Sequence, residues 1–155
     1  MPAEKTICRT CNAEILAATG DRTGGFCMPC SEGSRYGYVA YLTIEDFFAK
    51  AGTDDCLAAN MEPHPTNREF AAVLRHIRSE DGVTNCLIPV DEYQDPENEQ
   101  EPYSDRVFVM GPVEESVVAD WAKKLNAEIY REERPGAEVP LTHSKGEPVW
   151  CLVWD

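Results

Sequence analysis

Basic side chains are scarce in this chain: 14 Lys and Arg stand against 28 Asp and Glu over 155 residues, a formal net charge of −14. A phosphate backbone is gripped by cations, so this balance argues against DNA or RNA as the partner. No apolar run approaches the ~20 residues of a membrane-crossing helix, so no membrane association is expected. Residues 1–6 are polar and short, where a secretory leader would carry an apolar stretch. The expectation is a soluble, cytoplasmic chain whose thiols stay reduced. Also missing are a phosphate-cradling glycine loop, a Gly-x-Ser-x-Gly elbow and a His-Glu-x-x-His pair. Catalysis has no motif to rest on, so no catalytic residue and no small-molecule cofactor is assigned.

What the chain does hold is concentrated in residues 8–30, CRTCNAEILAATGDRTGGFCMPC. Two Cys-x-x-Cys pairs, Cys8/Cys11 and Cys27/Cys30, are separated by fifteen residues. Two thiolates three residues apart meet one metal ion on a tight turn. A second such turn, brought back by a hairpin, completes a tetrahedral four-sulfur site for one structural Zn2+. Disulfides would need an oxidising compartment, and a redox Cys-x-x-Cys normally occurs singly. Four cysteine ligands leave no open position for water, so such a zinc holds structure and hydrolyses nothing. Metal binding would supply most of the folding free energy of so small a segment, on the order of 10 kcal/mol. Glu14 to Leu16 and Gly25-Phe26 are the expected hairpin arms, and residues 31–37 (SEGSRYG) the expected linker. The remaining Cys56, Cys86, Cys151, His64, His76 and His143 show no ligand spacing.

The charge is unevenly spread. Residues 1–40 carry four basic and four acidic side chains, so the whole deficit lies beyond them. It is densest in residues 91–105, DEYQDPENEQEPYSD, with seven carboxylates and no basic residue: Asp91, Glu92, Asp95, Glu97, Glu99, Glu101 and Asp105. The segment is polar and holds prolines, which predicts an exposed, mobile loop. Acidity on this scale serves solubility, or an acidic face made for a basic protein partner. Asp81, Glu114 and Glu115 are expected to neighbour the loop.

The rest of the chain reads as alternating helices and strands. Thr43 opens a short helix with Glu45 and Asp46 in its first turn and Gly52 at its end. Thr66 and Glu69 form a capping box, followed by Phe70, Val73, Leu74 and Ile77 at helical spacing. Residues 85–93 read as a strand that Pro89 confines to an edge or bulge, and residues 106–110 as its hairpin partner. Gly111-Pro112 starts a helix with Val113, Val117, Trp121 and Leu125 on one face. Residues 127–132 alternate as a strand, and residues 149–154, apolar on both faces, read as an interior strand. Strand, helix, strand in sequence implies a right-handed crossover.

The segment Cys-x-x-Cys, Glu14 to Thr19 and Arg22 to Cys30 resembles a short zinc ribbon at the start of many uncharacterised bacterial proteins. Where those often carry proline before Ala-Thr, this chain has Ala17. The closing VWCLVWD is similar to their terminal strand. Some relatives resemble immunity proteins encoded beside polymorphic toxins, which implies toxin neutralisation.

The expected architecture is α+β: a zinc-ribbon hairpin over residues 1–37, then an acidic domain over residues 38–155. That domain is expected to hold a roughly four-stranded mixed sheet covered on one face by about three helices. The leading expectation for function is an immunity-type protein whose acidic surface neutralises a basic toxin, with the 91–105 carboxylates as the contact. The alternative is a small enzyme or metabolite-binding domain with a ribbon appendage, which a pocket lined by Trp121, Trp150 or Trp154 together with a perturbed His or Cys would favour.

Overall fold

The computed structural model describes residues 5–7, 14–16 and 38–154. Strand β1 (Lys5–Ile7) pairs antiparallel with β2 (Glu14–Leu16), with Lys5 opposite Leu16. The expected zinc ligands Cys8, Cys11, Cys27 and Cys30 lie outside the described residues, as does the expected second arm at Gly25-Phe26.

The acidic domain is an α+β fold on one five-stranded sheet. In chain order it runs β3 (Ala40–Leu42), α1 (Ile44–Lys50), α2 (Asn67–Arg78), β4 (Asn85–Val90), β5 (Glu92–Asp95), a 3-10 turn (Pro96–Asn98), β6 (Gln100–Tyr103) and β7 (Arg106–Met110). It continues with α3 (Glu115–Leu125), β8 (Glu128–Arg131), α4 (Leu141–Ser144) and β9 (Val149–Val153). The sheet order is β3-β4-β7-β9-β8, and every neighbouring pair is antiparallel. This corrects the expected four-stranded mixed sheet with three helices. Strands β7 and β8 do run parallel, as a strand-helix-strand unit should, but β9 is inserted between them. That insertion turns the mixed pairing into an antiparallel one.

Local sequence explains the helix ends. Thr43 Oγ1 accepts the Asp46 N–H at 3.1 Å and starts α1. The helix stops on Ala51, which is extended, rather than on Gly52 as a left-handed cap. The capping box of α2 is complete: Thr66 Oγ1 accepts the Glu69 N–H at 3.2 Å, and the Glu69 carboxylate accepts the Thr66 N–H at 3.4 Å. Such a cap is worth about 1 kcal/mol. Arg78, in the last turn of α2, donates through Nη1 to Glu45 Oε2 at 2.8 Å and ties that helix to α1. Phe70, Ala71, Leu74 and Ile77 form the buried stripe, whereas Val73 is 38% exposed and faces away from it. Helix α3 begins at Glu115, later than the Gly-Pro signal, and ends on Asn126 in the left-handed conformation.

The sheet is buried on both faces, with strict alternation along its strands. Cys86, Ile88, Val90, Val107, Val109, Trp150 and Leu152 pack beneath the helices with Phe47, Leu74 and Trp121. Leu87, Phe108, Met110, Val149, Cys151 and Val153 point the other way, to Tyr38, Tyr41 and Val139. Each such side chain removed from water contributes roughly 1.5–3 kcal/mol. The second face is held to the segment after β8 by polar ties. Glu132 accepts the N–H groups of Glu138 (3.0 Å) and Val139 (2.9 Å), and Tyr41 donates to Glu138 O at 3.0 Å. Strand β4 is interior rather than an edge. Its ladder to β7 covers Asn85 to Leu87 and its ladder to β3 covers Ile88 to Val90. Pro89, which has no N–H to donate, therefore serves one neighbour only.

Candidate functional site

The acidic segment is not the mobile loop its composition suggests. Residues 92–103 form the two-stranded hairpin β5–β6, with Glu92 opposite Tyr103 and Asp95 opposite Gln100. Three anchors explain why so polar a ribbon holds its shape. Lys50, in the last turn of α1, donates to Glu99 O at 3.1 Å and lies 5.9 Å from the Tyr93 ring centroid. Gly52 leaves room for the Glu101 carboxylate, which occupies the place a Cβ would take. The hairpin base is clasped on both sides of Ser104, whose N–H donates to Cys56 O (3.0 Å) and whose O accepts the Ala58 N–H (2.9 Å). At the tip, Asn98 donates to Asp95 Oδ2 at 2.9 Å and Glu99 takes the left-handed conformation that ends the 3-10 turn.

Of the seven carboxylates, Asp91, Glu92, Glu97 and Glu99 are exposed and Asp95, Glu101 and Asp105 half-buried. Among the described residues only Asp105 makes an ion pair, to Arg106 Nε at 3.5 Å. Lys50 binds a backbone oxygen and neutralises no hairpin carboxylate directly. Burial, and then the Asp105 charge, push the Asp91 carboxyl above its ordinary value. Burial and the nearby Glu99 push the Tyr93 phenol up to about 12. The hairpin is thus a braced frame whose own carboxylates, among the described residues, make no ion pair.

Asp81, Glu114 and Glu115 do not join this surface. Asp81 precedes β4 and Glu114 follows β7, whereas the hairpin leaves β4 and enters β7 at their opposite ends. A strand of this length separates its ends by roughly 17 Å.

A cleft of about 370 Å³ lies at the hairpin base, lined by Asn60, Asp91, Tyr103, Ser104, Asp105 and Trp154. A larger groove of about 660 Å³ runs between the 61–65 turn, α2 and the end of α3, and holds His64, Glu69, Phe70, Val73 and Lys124. Its histidine is engaged on both sides: Nδ1 lies 2.7 Å from Pro65 O and Nε2 lies 2.8 Å from Leu57 O. Set between two backbone carbonyls, the ring donates to at least one of them and ties the turn in place, and each nitrogen faces backbone rather than the open groove.

The three tryptophans are buried core residues, and Trp154 also borders the cleft at the hairpin base, whose lining holds no His or Cys. Trp150 Nε1 donates to Val113 O at 3.1 Å and Trp154 Nε1 to Leu125 O at 2.8 Å. Cys86 and Cys151 are buried, and burial pushes both thiols up to about 12, the reverse of what a nucleophile needs. Cys56 is buried 3.7 Å from Thr53 Oγ1. His76 is surface-exposed, 3.3 Å from Glu80. Among the described residues no group of three or more His, Cys, Asp or Glu is placed to hold a metal. No described helix is long and apolar enough to cross a membrane.

One constellation carried no signal in the sequence. Arg106 Nη1 donates to Tyr130 OH at 2.7 Å, and Tyr130 donates to Glu138 Oε1 at 2.7 Å. It fastens the segment after β8 to the sheet across 24 and 8 residues of chain.

Fold and site together define an α+β domain whose distinguishing surface is a braced acidic hairpin. The chain belongs to the uncharacterized protein YfbO family, whose model matches residues 14–149. No curated protein and no solved structure matches it.

Proposed function

We propose that this protein is a binding protein of the immunity type, which neutralises a basic partner, a toxin domain, through the β5–β6 hairpin. The observation that carries the reading is the hairpin itself. Five carboxylates stand on a ribbon fastened to α1 by Lys50 and to Cys56 and Ala58 through Ser104, with Asp91 and Asp105 flanking it, and among the described residues Asp105 alone of the seven is paired with a cation. A surface of this kind steers a basic partner and is pre-ordered to receive it, so less conformational entropy is lost on binding. The resemblance of residues 8–30 to ribbons of immunity-like proteins supplies the toxin. In this reading one structural Zn2+, held by Cys8, Cys11, Cys27 and Cys30, staples the N-terminal segment. A small enzyme is the weaker reading, because the histidine in the larger groove has both nitrogens turned to backbone carbonyls.

The test is kinetic. A basic partner recovered from the native cell is measured against the intact chain and against one with Asp95, Glu97, Glu99 and Glu101 reversed to Lys. Electrostatic steering spans about two to three orders of magnitude in association rate. The reversal is expected to slow association at least tenfold and to flatten its dependence on salt. Unchanged association would overturn the hairpin as the interface. For the metal, about one zinc per chain is expected by elemental analysis, and its loss in Cys8→Ser. A zinc-free native chain would remove the ribbon from the reading.

A further inference from the structure

The cleft at the hairpin base has a composition that the acidic surface alone does not explain. Four separate stretches meet there: Ala59-Asn60, Asp91, residues 103–105 and Trp154. Backbone hydrogen bonds hold all four in register, from Asp91 N–H to Tyr103 O (2.8 Å), from Trp154 N–H to Asp105 O (2.9 Å) and from Ala58 N–H to Ser104 O (2.9 Å). One part of the lining is aromatic, from Tyr103 and Trp154, and another is anionic, from Asp91 and Asp105.

We propose that this cleft is the anchor point of the interface and takes one arginine side chain of the basic partner, its guanidinium set between Asp91 and Asp105 and against Tyr103 and Trp154. The inference rests on the reading of the hairpin as a surface for a basic partner. A guanidinium is planar, stays charged, bonds carboxylates with two parallel N–H groups and packs on aromatic rings. That combination matches the lining better than a hard divalent cation, which seeks six or more oxygens and gains nothing from an indole. Asp91 is held above its ordinary range by burial and by Asp105, an effect that Arg106 offsets only in part, so an entering cation relieves a repulsion still present. The volume of about 370 Å³ accommodates a single long side chain with some water, not a folded segment.

The probe is N-acetyl-arginine amide, titrated into the full chain and followed by amide and indole NMR shifts. The neutral citrulline counterpart and calcium chloride are the comparisons. Saturable shifts are expected at Asn60, Ser104 and Trp154 with the arginine compound alone. Asp91→Asn should weaken them at least tenfold, and Glu97→Gln, the same charge change at the hairpin tip, by less than twofold. Equal response to citrulline, saturation by calcium alone, or equal weakening by the two variants would overturn the cleft as an arginine site. The titration needs no protein partner, so it is read independently of the kinetic test. Loss of the arginine effect with hairpin-dependent association intact removes this anchor and leaves the proposed function standing. The opposite pattern removes the function and leaves the site.

Discussion

Replacing Asp91 with asparagine keeps the shape of the hairpin base and removes one of two carboxylates that face the same cleft. Burial and the Asp105 charge both disfavour the ionised form of Asp91, against the opposing pull of Arg106 and of the Asp105 backbone N–H. Arg106 is already engaged by Tyr130, Asp105 and Glu138, at 2.7, 3.5 and 3.8 Å. At neutral pH the wild-type chain therefore folds against a cost that Asp91→Asn removes, while the asparagine oxygen can still accept the Asp105 N–H. The Asp91 side chain is exposed enough for water to screen much of this, which limits the gain to about 0.2–1 kcal/mol. For a chain of this size that is about 0.5–4 °C in melting temperature. The pH dependence has a definite sign. The folded state binds the Asp91 proton more readily than the unfolded state, so the wild type regains stability as pH falls from neutral toward the ordinary aspartate value of 3.8. The gap between variant and wild type should be widest at pH 7 and close on acidification. Urea unfolding of both chains at pH 7 and at pH 4.5 measures it. A variant less stable than wild type at pH 7, or a gap that widens on acidification, would refute the charge argument and remove the strain ascribed to this cleft.

Two further perturbations test the fold around the site. Trp154→Phe leaves the Leu125 carbonyl without its 2.8 Å donor and opens a small void beside Phe70, so a loss of about 2–4 kcal/mol is expected in urea unfolding; a loss below about 0.5 kcal/mol would deny the indole its structural role. The Arg78 guanidinium holds the Glu45 carboxyl down to about 2, so the stability it adds is present above the ordinary carboxylate value of 4.5 and is lost as pH falls from there through about 2. Glu45 is half-exposed, and Glu45→Gln should cost only about 0.5–1 kcal/mol at pH 7, a penalty that shrinks in acid; a constant penalty between pH 7 and pH 3 would count against the ion pair.

Helices were the most legible part of this chain, because their signals are local. The Thr66–Glu69 capping box and three of the four expected stripe residues of α2 stand as the spacing predicts. Val73 departs because the neighbouring Ala71 takes the buried position, and spacing alone does not say which flank of a stripe meets the sheet. The β5–β6 hairpin was illegible as structure for a physical reason. EYQD and QEPY lack an apolar alternation, and what holds them is Lys50, Gly52, Cys56 and Ala58, tens of residues away. Tyr93 and Tyr103, residues that favour strands, on either side of Pro96-Glu97-Asn98 were the available signal. The acidic residues themselves were plain from composition, but their grouping was not: Asp81, Glu114 and Glu115 belong to the far end of β4 and β7. The cleft could not be read at all, since Asn60, Asp91, Asp105 and Trp154 meet only through strand order.

The place of β9 has a consequence for how the chain is made. It follows every other strand in sequence, yet it occupies the position between β7 and β8. While the chain emerges from a ribosome, β7 lacks its partner on one side and β8 has nothing in the sheet to pair with. Val107, Phe108, Val109 and Met110, all fully buried in the finished domain, wait with them. Closing the sheet requires β9 to enter a gap flanked by strands that are already synthesised, and only then does Trp154 complete the wall of the cleft. Closure of the sheet therefore waits for β9, and a nascent chain halted before Val149 would present an open apolar edge to the cell.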